Sequence, residues 1–519
     1  MEDSMSRTAL RTEILEGAGA HGAIVQELLA YNENKFDAAR HDTLRLPLDD
    51  EPHLAAWDEY KKDAATLGVI PALRRRLVQL QFPIEDGISQ TDVYRAATRR
   101  GELPAEGTGP DFANAAGIEL VLHPTVSGRV PLLIAADRRD FVTLVRVFSE
   151  RNEPSPVPDS MGACIVTGLN NWDRVAQYRR RFEAEHPEAG EDGWLQEFRE
   201  RLVPRKDLYQ DRFIILSRGA YSAVPAADAG LPEAEWLRLS LSIREEHECT
   251  HYFTCRVFGS MRNNLLDEII ADFAGLMATQ GRYDGALALR FFGLESHPQY
   301  REGGRLQSYL GKPPLSAPAI AVLRELVVRA IRNIEAFVRI HEAMRTADGT
   351  ARMVVALTAL TLEELASPDI AVRLSDALEA GETRMQLSVP GTDEGTAQLL
   401  DGFVAFAQRN AEILRPVSSD ICVVLDEVVS NIVKYGYENK AGGEILVVLE
   451  LRDGLVELDI LDEAPEFNPL ERADPKTDEA LEDRPIGGLG IHIVKKLMDE
   501  IVYRREGGRN HLVLRKRLA

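Results

Sequence analysis

The spacing of apolar positions changes several times along the chain, and each change marks a different kind of element. From about residue 8 to 100 apolar residues recur at helical spacing with little strand character, as around Ala55, Trp57, Tyr60 and Leu67. Between 130 and 170 the pattern shifts to short β-rich runs at 130–136, 141–148 and 163–168, and 212–217 adds another. Two apolar-periodic helices fill 233–278 and are joined near 259–264, where Gly259, Ser260, Asn263 and Asn264 interrupt the period. A Gly/Pro-containing stretch over 303–318 leads to further helices between 319 and 380.

After that the reading turns α/β again. A strand over 384–389 precedes helices over 394–410 and 418–435; strands over 444–451 and 455–461 pair about Asp453-Gly454, a dipeptide that favours a tight turn. Two short strands around Gly507 and Gly508 close the chain. The expected class is α+β, in three parts: residues 1–345 with a helical portion to about 105, a helical connector over 346–383, and an α/β domain over 384–519.

Charge and composition narrow the function classes. The net charge of −22 repels phosphates and anionic lipid over most of the surface, which argues against nucleic acid and membrane partners and for proteins or small molecules. Four scattered cysteines make no disulfide framework, and no segment approaches about 18 consecutive apolar residues. A cytoplasmic location is expected.

The first chemistry-bearing pattern is His247-Glu248-Cys249-Thr250-His251, inside a predicted helix. A spacing of four puts both imidazoles on one face, within reach of one ion, with Glu248 beside them to activate a bound water. On the next helix Glu268 and Asp272 are again four apart. Glu268 suits a third, oxygen ligand, and Asp272 suits a carboxylate that hydrogen-bonds the far nitrogen of a ligating histidine. Cys249 and Cys255 are a poor thiolate pair and read as core; His297 and Tyr300 read as residues within reach of a substrate carbonyl.

Over about 30 residues this pattern resembles the gluzincin metallopeptidases, which pair H-E-x-x-H with E-x-x-x-D on a following helix. The resemblance implies a zincin-like domain in which His247, His251 and Glu268 bind zinc, Glu248 is the general base and Asp272 the supporting carboxylate. Sixteen residues separate His251 from Glu268, fewer than in thermolysin-like enzymes, so Asp267 stands as a rival third ligand.

The second pattern is an ordered trio near the C-terminus. Glu427 and Asn431 share a helix face, so a carboxylate and an amide can address one phosphate–metal unit; Asp462 ends a strand; Gly487, Gly488 and Gly490 open a helix whose free N–H groups suit phosphate oxygens. This order resembles the GHKL (Bergerat-fold) ATPases, most closely the anti-sigma factor serine kinases, over about residues 384–519. The resemblance implies an α/β sandwich in which Asn431 coordinates Mg²⁺, Glu427 is general base toward a protein serine, Asp462 holds the adenine amino group and the three glycines border the triphosphate. It also implies a protein substrate or antagonist partner, and allows a homodimer through this domain. Ala464 replaces the glycine of the family's D-x-G pattern, which weakens the adenine part of the expectation. His341 lacks the following proline of a histidine-kinase phospho-acceptor box and reads as a surface histidine.

The expected whole is a regulator with a Zn²⁺-dependent peptidase site and an ATP- and Mg²⁺-dependent serine kinase domain. Its alternative is a nucleotide-dependent sequestering switch with a structural or non-peptidase metal site.

Overall fold

A computed structural model describes residues 2–37, 46–104, 107, 109–437, 443–452, 454–471 and 489–518. Within them the chain packs as two units. One comprises the N-terminal helices, Leu46–Val354 and Leu360–Ile370, and the other Val355–Ala359 and the chain from Ala371 onward.

The first unit is built on a four-stranded mixed sheet, β1 (Ile118–Thr125), β2 (Gly128–Ala135), β3 (Ala163–Asn170) and β4 (Gln210–Ser217), in the order β1-β2-β4-β3. β2 and β4 run parallel in the centre, and β3 is an antiparallel edge. Both faces of the sheet are apolar and both are covered. Helices α1 (Leu54–Leu67) and α2 (Arg138–Phe148) bury Trp57, Tyr60, Phe141 and Leu144 against Leu133, Phe213 and Ile215 on one face. On the other face α3 (Glu233–Phe258) buries Cys249 and Tyr252 against Val130, Leu132, Ile214 and Leu216. Cys249 is therefore a core residue; it and Cys255 are both free thiols.

The run at 141–148, expected as β-rich, is helical. Its β-branched residues favour a strand locally, but Phe141, Leu144, Val145 and Phe148 fall at the 3.6 period, and all four are buried. The Asp137 side chain caps the helix by accepting from the Arg139 N–H (2.8 Å). Burial of one helical face outweighs residue propensity here. Strand β1 had no counterpart in the expected pattern, because its alternation is broken by His123 and Pro124.

Helix α4 (Leu265–Gln280) packs antiparallel to α3 through a close approach at Gly275, where a Cβ would stand 2.9 Å from the Ile243 carbonyl. Helix α5 (Ala317–Ile340) buries a stripe from Val322 to Val338. His341 follows it; its Nδ1 lies 2.8 Å from the Phe337 carbonyl and its ring stacks on Phe337. Residues of the expected connector form helices Ala347–Thr358, Leu362–Leu365 and Ile370–Thr383.

The second unit is a two-layer α/β sandwich. Strands β5 (Arg384–Pro390), β6 (Glu444–Arg452), β7 (Leu455–Asp462), β8 (Glu500–Glu506) and β9 (Arg509–Arg517) form an all-antiparallel sheet in the order β5-β6-β7-β9-β8. Helices α6 (Asp393–Arg409), α7 (Ser418–Asn431) and α8 (Leu489–Leu497) share its core, which runs from Leu399, Phe403 and Val424 to Val447, Leu458 and Leu514. Asp453 of the expected hairpin turn lies outside the described residues. Among the described residues no helix is long and apolar enough to cross a membrane.

Candidate metal centre and candidate nucleotide site

The two carboxylate- and histidine-bearing helices of the first unit meet face to face. His247 and His251 project from α3, and their Nε2 atoms lie 3.1 Å apart. Glu268 of α4 reaches the same point, with Oε1 3.2 Å from His251 Nε2 and Oε2 3.6 Å from His247 Nε2. A tetrahedral ion with bonds of about 2.0–2.1 Å separates its ligands by about 3.3 Å, so these three donors fit the edges of a zinc site. Asp267 does not join them: its Oδ2 accepts the Asn263 backbone N–H, and its Oδ1 is buried with no hydrogen-bond partner among the described residues.

Behind the trio the side chains fix His247. Its Nδ1 lies 3.0 Å from Asp272 Oδ1 and 2.7 Å from the Tyr221 hydroxyl, and that hydroxyl donates to Asp272 Oδ1 (2.7 Å). A proton held on Nδ1 leaves the Nε2 lone pair facing the other two donors. Arg305 completes the cluster, donating to the Tyr221 hydroxyl (2.9 Å) and pairing with Asp272 and with Glu268 Oε2 (3.4 Å).

Electrostatics follow from this crowding. Burial alone would lower the His251 pKa, but the Glu268 carboxylate, with Glu248 and Asp267 nearby, outweighs it and lifts it to about 9. Burial alone would raise Glu268, but Arg305 and the two imidazoles hold it well below the usual carboxylate range. Burial pushes the Tyr309 phenol up, and Glu268, which it hydrogen-bonds, adds to this. An ion entering here would displace the shared proton.

The cluster opens into a cleft of about 820 Å³ lined by His247, His251, Glu268, Glu248 and Tyr309, and by the start of edge strand β3. Another wall is the turn after β4, where Ser222 and Ala223 both have positive φ (49° and 53°). Such backbone is costly for non-glycine residues and persists only when held. Here Ser240 accepts the Tyr221 N–H (3.0 Å), Trp236 donates to the Val224 carbonyl (2.7 Å), and Arg244 donates to the carbonyls of Ser217, Gly219 and Ala220.

His297 and Tyr300 are not among the cleft-lining residues. His297 Nε2 is 3.7 Å from Glu325, and the Tyr300 hydroxyl donates to the Gly304 carbonyl (2.7 Å). Sequence reasoning missed Tyr221, Arg305 and Tyr309. The paired Gly303-Gly304 ahead of Arg305 was the available signal: a Cβ on Gly304 would stand 2.5 Å from the Phe292 carbonyl, so the segment must fold back tightly.

In the second unit α7 ends at Asn431, β7 ends at Asp462 and α8 starts at Leu489. Gly490 lies against both candidate side chains of α7: a Cβ there would fall 2.0 Å from Glu427 Oε2 and 3.5 Å from Asn431 Nδ2. Gly487 and Gly488 lie outside the described residues. A cavity of about 160 Å³ is bounded by Asn431, Asp462, Ala464, Phe467, Ile491 and Leu512.

The Asp462 carboxylate is buried at its rim and accepts from the Ala464 N–H (2.9 Å) and from Asn510 Nδ2 (2.8 Å). Burial pushes its pKa up, and the Asn510 bond only partly offsets that. Asn510 stands directly opposite Asp462 in the β7–β9 ladder and also accepts from Tyr503 (2.7 Å) and Arg505 (2.6 Å). Ala464 is accommodated without left-handed backbone, since it is not among the positive-φ residues, and its methyl fits because position 436 is glycine. Asn510 went unrecognised because strand periodicity shows only that it faces inward.

Comparison with known proteins separates the two units. Residues 389–516 match the Histidine kinase-like ATPase domain, so the C-terminal part carries an ATPase domain of that type. The anti-sigma F factor of Geobacillus sp. (strain WCH70) is 27% identical over 137 residues, 26% of this chain and 91% of that protein. The anti-sigma F factor of Clostridium acetobutylicum is 24% identical over 136 residues, 26% of this chain and 94% of that protein. The serine/threonine-protein kinase BtrW of Bordetella bronchiseptica is 28% identical over 130 residues, 25% of this chain and 89% of that protein. The longer N-terminal part, residues 13–369, matches the Family of unknown function (DUF7005), and by that match, which covers most of its length, the chain belongs to this family.

Proposed function

We propose that the chain is a cytoplasmic regulator joining a zinc-dependent peptidase site to an ATP-dependent protein serine kinase of anti-sigma type. The observation that carries the first half is the trio of donors from His247, His251 and Glu268, separated by 3.1 to 3.6 Å and opening on a cleft with Glu248 on its wall. Three protein ligands leave a fourth position for water or substrate, the arrangement of a catalytic rather than a closed structural site. A zinc ion bound there would supply Lewis-acid polarisation of a carbonyl and a more acidic water.

The chain's own residues do the rest. Glu248 accepts the proton of the attacking water and returns it to the leaving amine. Asp272 and Tyr221 keep the His247 proton on Nδ1, and Arg305 neutralises the Asp272 and Glu268 charges behind the site. A peptide lies along edge strand β3, whose first residues border the cleft. Asp267 serves structure, holding the Asn263 N–H at the start of α4.

In the second domain Asp462 would accept the adenine amino group, and Asn431 would hold Mg²⁺. Glu427 takes the proton of a partner's serine hydroxyl. ATP bound with magnesium supplies the transferable phosphoryl group. Support comes from the ATPase-domain match and from a relative named as a serine/threonine kinase. Other relatives are named anti-sigma F factors, which favours a second reading for this domain, nucleotide-dependent sequestration of a partner without phosphorylation.

Two experiments test the proposal. Metal analysis of protein purified without chelator is expected to give one zinc per chain, lost in His247→Ala; absence of stoichiometric zinc removes the peptidase reading. Label from γ-phosphate on a co-purifying partner supports the kinase, and partner retention without label supports sequestration.

A further inference from the structure

Among the described residues, two guanidinium groups in the cleft have no carboxylate within ion-pair distance. Arg244 precedes Glu248 by four residues on α3 and so lies one turn along the same face. It is 5% exposed, and every hydrogen bond it makes goes to a backbone carbonyl: Ser217 (2.8 Å), Gly219 (3.1 Å) and Ala220 (3.2 Å). Arg138, at the start of α2, donates to the carbonyls of Pro158 (2.6 Å) and Met161 and lies over the Phe141 ring. Both line the same cavity as the histidine trio.

The other charges on the walls are accounted for. Arg218 pairs with Glu119 (2.6 Å), and Arg305 with Asp272 and Glu268. Asp159 is exposed, and Glu248 is the general base of the proposed reaction. Carbonyl dipoles orient a guanidinium but do not neutralise it; the Tyr221 ring, 5.6 Å from the Arg244 guanidinium, and Glu248 offset only part of the cost of burying that charge. A guanidinium has five N–H donors; Arg244 uses three hydrogen bonds and Arg138 two. The chain passes close to Arg244 at position 162, where only glycine fits: a Cβ on Gly162 would fall 2.7 Å from Arg244 Nε. Burial pushes the Arg244 pKa down, Tyr221 and Glu248 oppose this, and nearby Arg138 adds to it. An anion arriving at this end of the cleft removes that penalty.

Resting on the peptidase reading above, we propose that Arg138 and Arg244 form an anion subsite that receives a carboxylate next to the scissile bond. The substrate is then an acidic peptide, or a peptide held by its free C-terminus. Charge-assisted hydrogen bonds of this kind correspond to about ten- to a hundredfold in affinity or rate.

The test uses one peptide scaffold with Glu, Gln or Lys at each position flanking the cut, each as free acid and as C-terminal amide, with the zinc-loaded full chain. Mass spectrometry of the products is expected to give at least tenfold higher kcat/KM for Glu than for Gln, and lower still for Lys. If amidation alone removes the preference, the free C-terminus is the source of the carboxylate. Arg138→Gln, which keeps donors for the two carbonyls, is expected to flatten the series, and Arg138→Glu to turn it toward Lys. Calorimetric binding of the same peptides to Glu248→Gln protein gives a readout independent of turnover. Cleavage without any charge preference overturns the subsite and leaves the peptidase standing. Charge-selective binding without cleavage overturns the peptidase and leaves the subsite, while neither binding nor cleavage removes both.

Discussion

Replacing Asp272 by Asn changes one atom and tests how the proposed metal site is built. In the native chain Asp272 is fully buried, lies 3.0 Å from His247 Nδ1, accepts the Tyr221 hydroxyl at 2.7 Å and pairs with Arg305. Every neighbour on that list brings a donor. An amide keeps one acceptor oxygen but turns an N–H toward one of those donors, so at least one good hydrogen bond becomes a donor–donor clash. The His247 ring loses its negatively charged support, and zinc affinity is expected to fall 10- to 100-fold, about 1.4–2.7 kcal/mol. Arg305 keeps Glu268 Oε2 at 3.4 Å and Tyr221, so metal-free stability should fall by about 3 kcal/mol, the lower end for a broken buried pair. Zinc affinity is read by competition with a chromophoric chelator, and stability by denaturant unfolding in the presence of a chelator. Asp267→Asn is the control, because that carboxylate bonds the Asn263 N–H instead. A zinc affinity for Asp272→Asn within threefold of wild type would refute the reasoning, as would zinc loss in Asp267→Asn with Glu268→Gln unaffected.

Glu248→Gln should retain stoichiometric zinc and lose peptide hydrolysis by about 10²- to 10⁴-fold in an assay of new peptide termini. Gly490→Ala directs a methyl onto Glu427 Oε2, an atom at the end of a flexible side chain; phosphotransfer or ATP binding should drop about tenfold while stability changes by less than about 1 kcal/mol. Because burial raises the Asp462 pKa, its ionised, amino-accepting form is lost earlier on acidification. ATP affinity measured by fluorescence titration should therefore begin to fall above the ordinary Asp range near 3.9, and Asp462→Asn should remove that pH dependence. The sign for folding is the opposite: with the folded pKa above the unfolded one, stability is lost as pH rises through that range, because the charge must then be buried. Asp211→Ala leaves Arg174 buried and strips acceptors from Trp57 and Asn171, which should cost about 3–5 kcal/mol by denaturant unfolding.

The sequence by itself determined whatever depends on local periodicity. A helix repeats every 3.6 residues, so H-E-x-x-H had to put His247 and His251 on one face, and Glu268 with Asp272, or Glu427 with Asn431, had to do the same. Hairpin β6–β7, the two-helix unit of α3 and α4 and the C-terminal α/β alternation were legible for that reason. Tertiary structure alone decided what depends on contacts between distant segments. Asp267 and Glu268 are adjacent and chemically alike; only the packing of α4 on α3, set by the close approach at Gly275, turned Glu268 toward the histidines. Tyr221, Arg305 and Tyr309 come from irregular segments whose direction no period encodes, and Asn510 gains meaning only as the residue opposite Asp462. The misread helix over 138–148 belongs with these: its β-branched composition is a local preference of a few tenths of a kcal/mol per residue, and burial of a whole helical face against the sheet exceeds it.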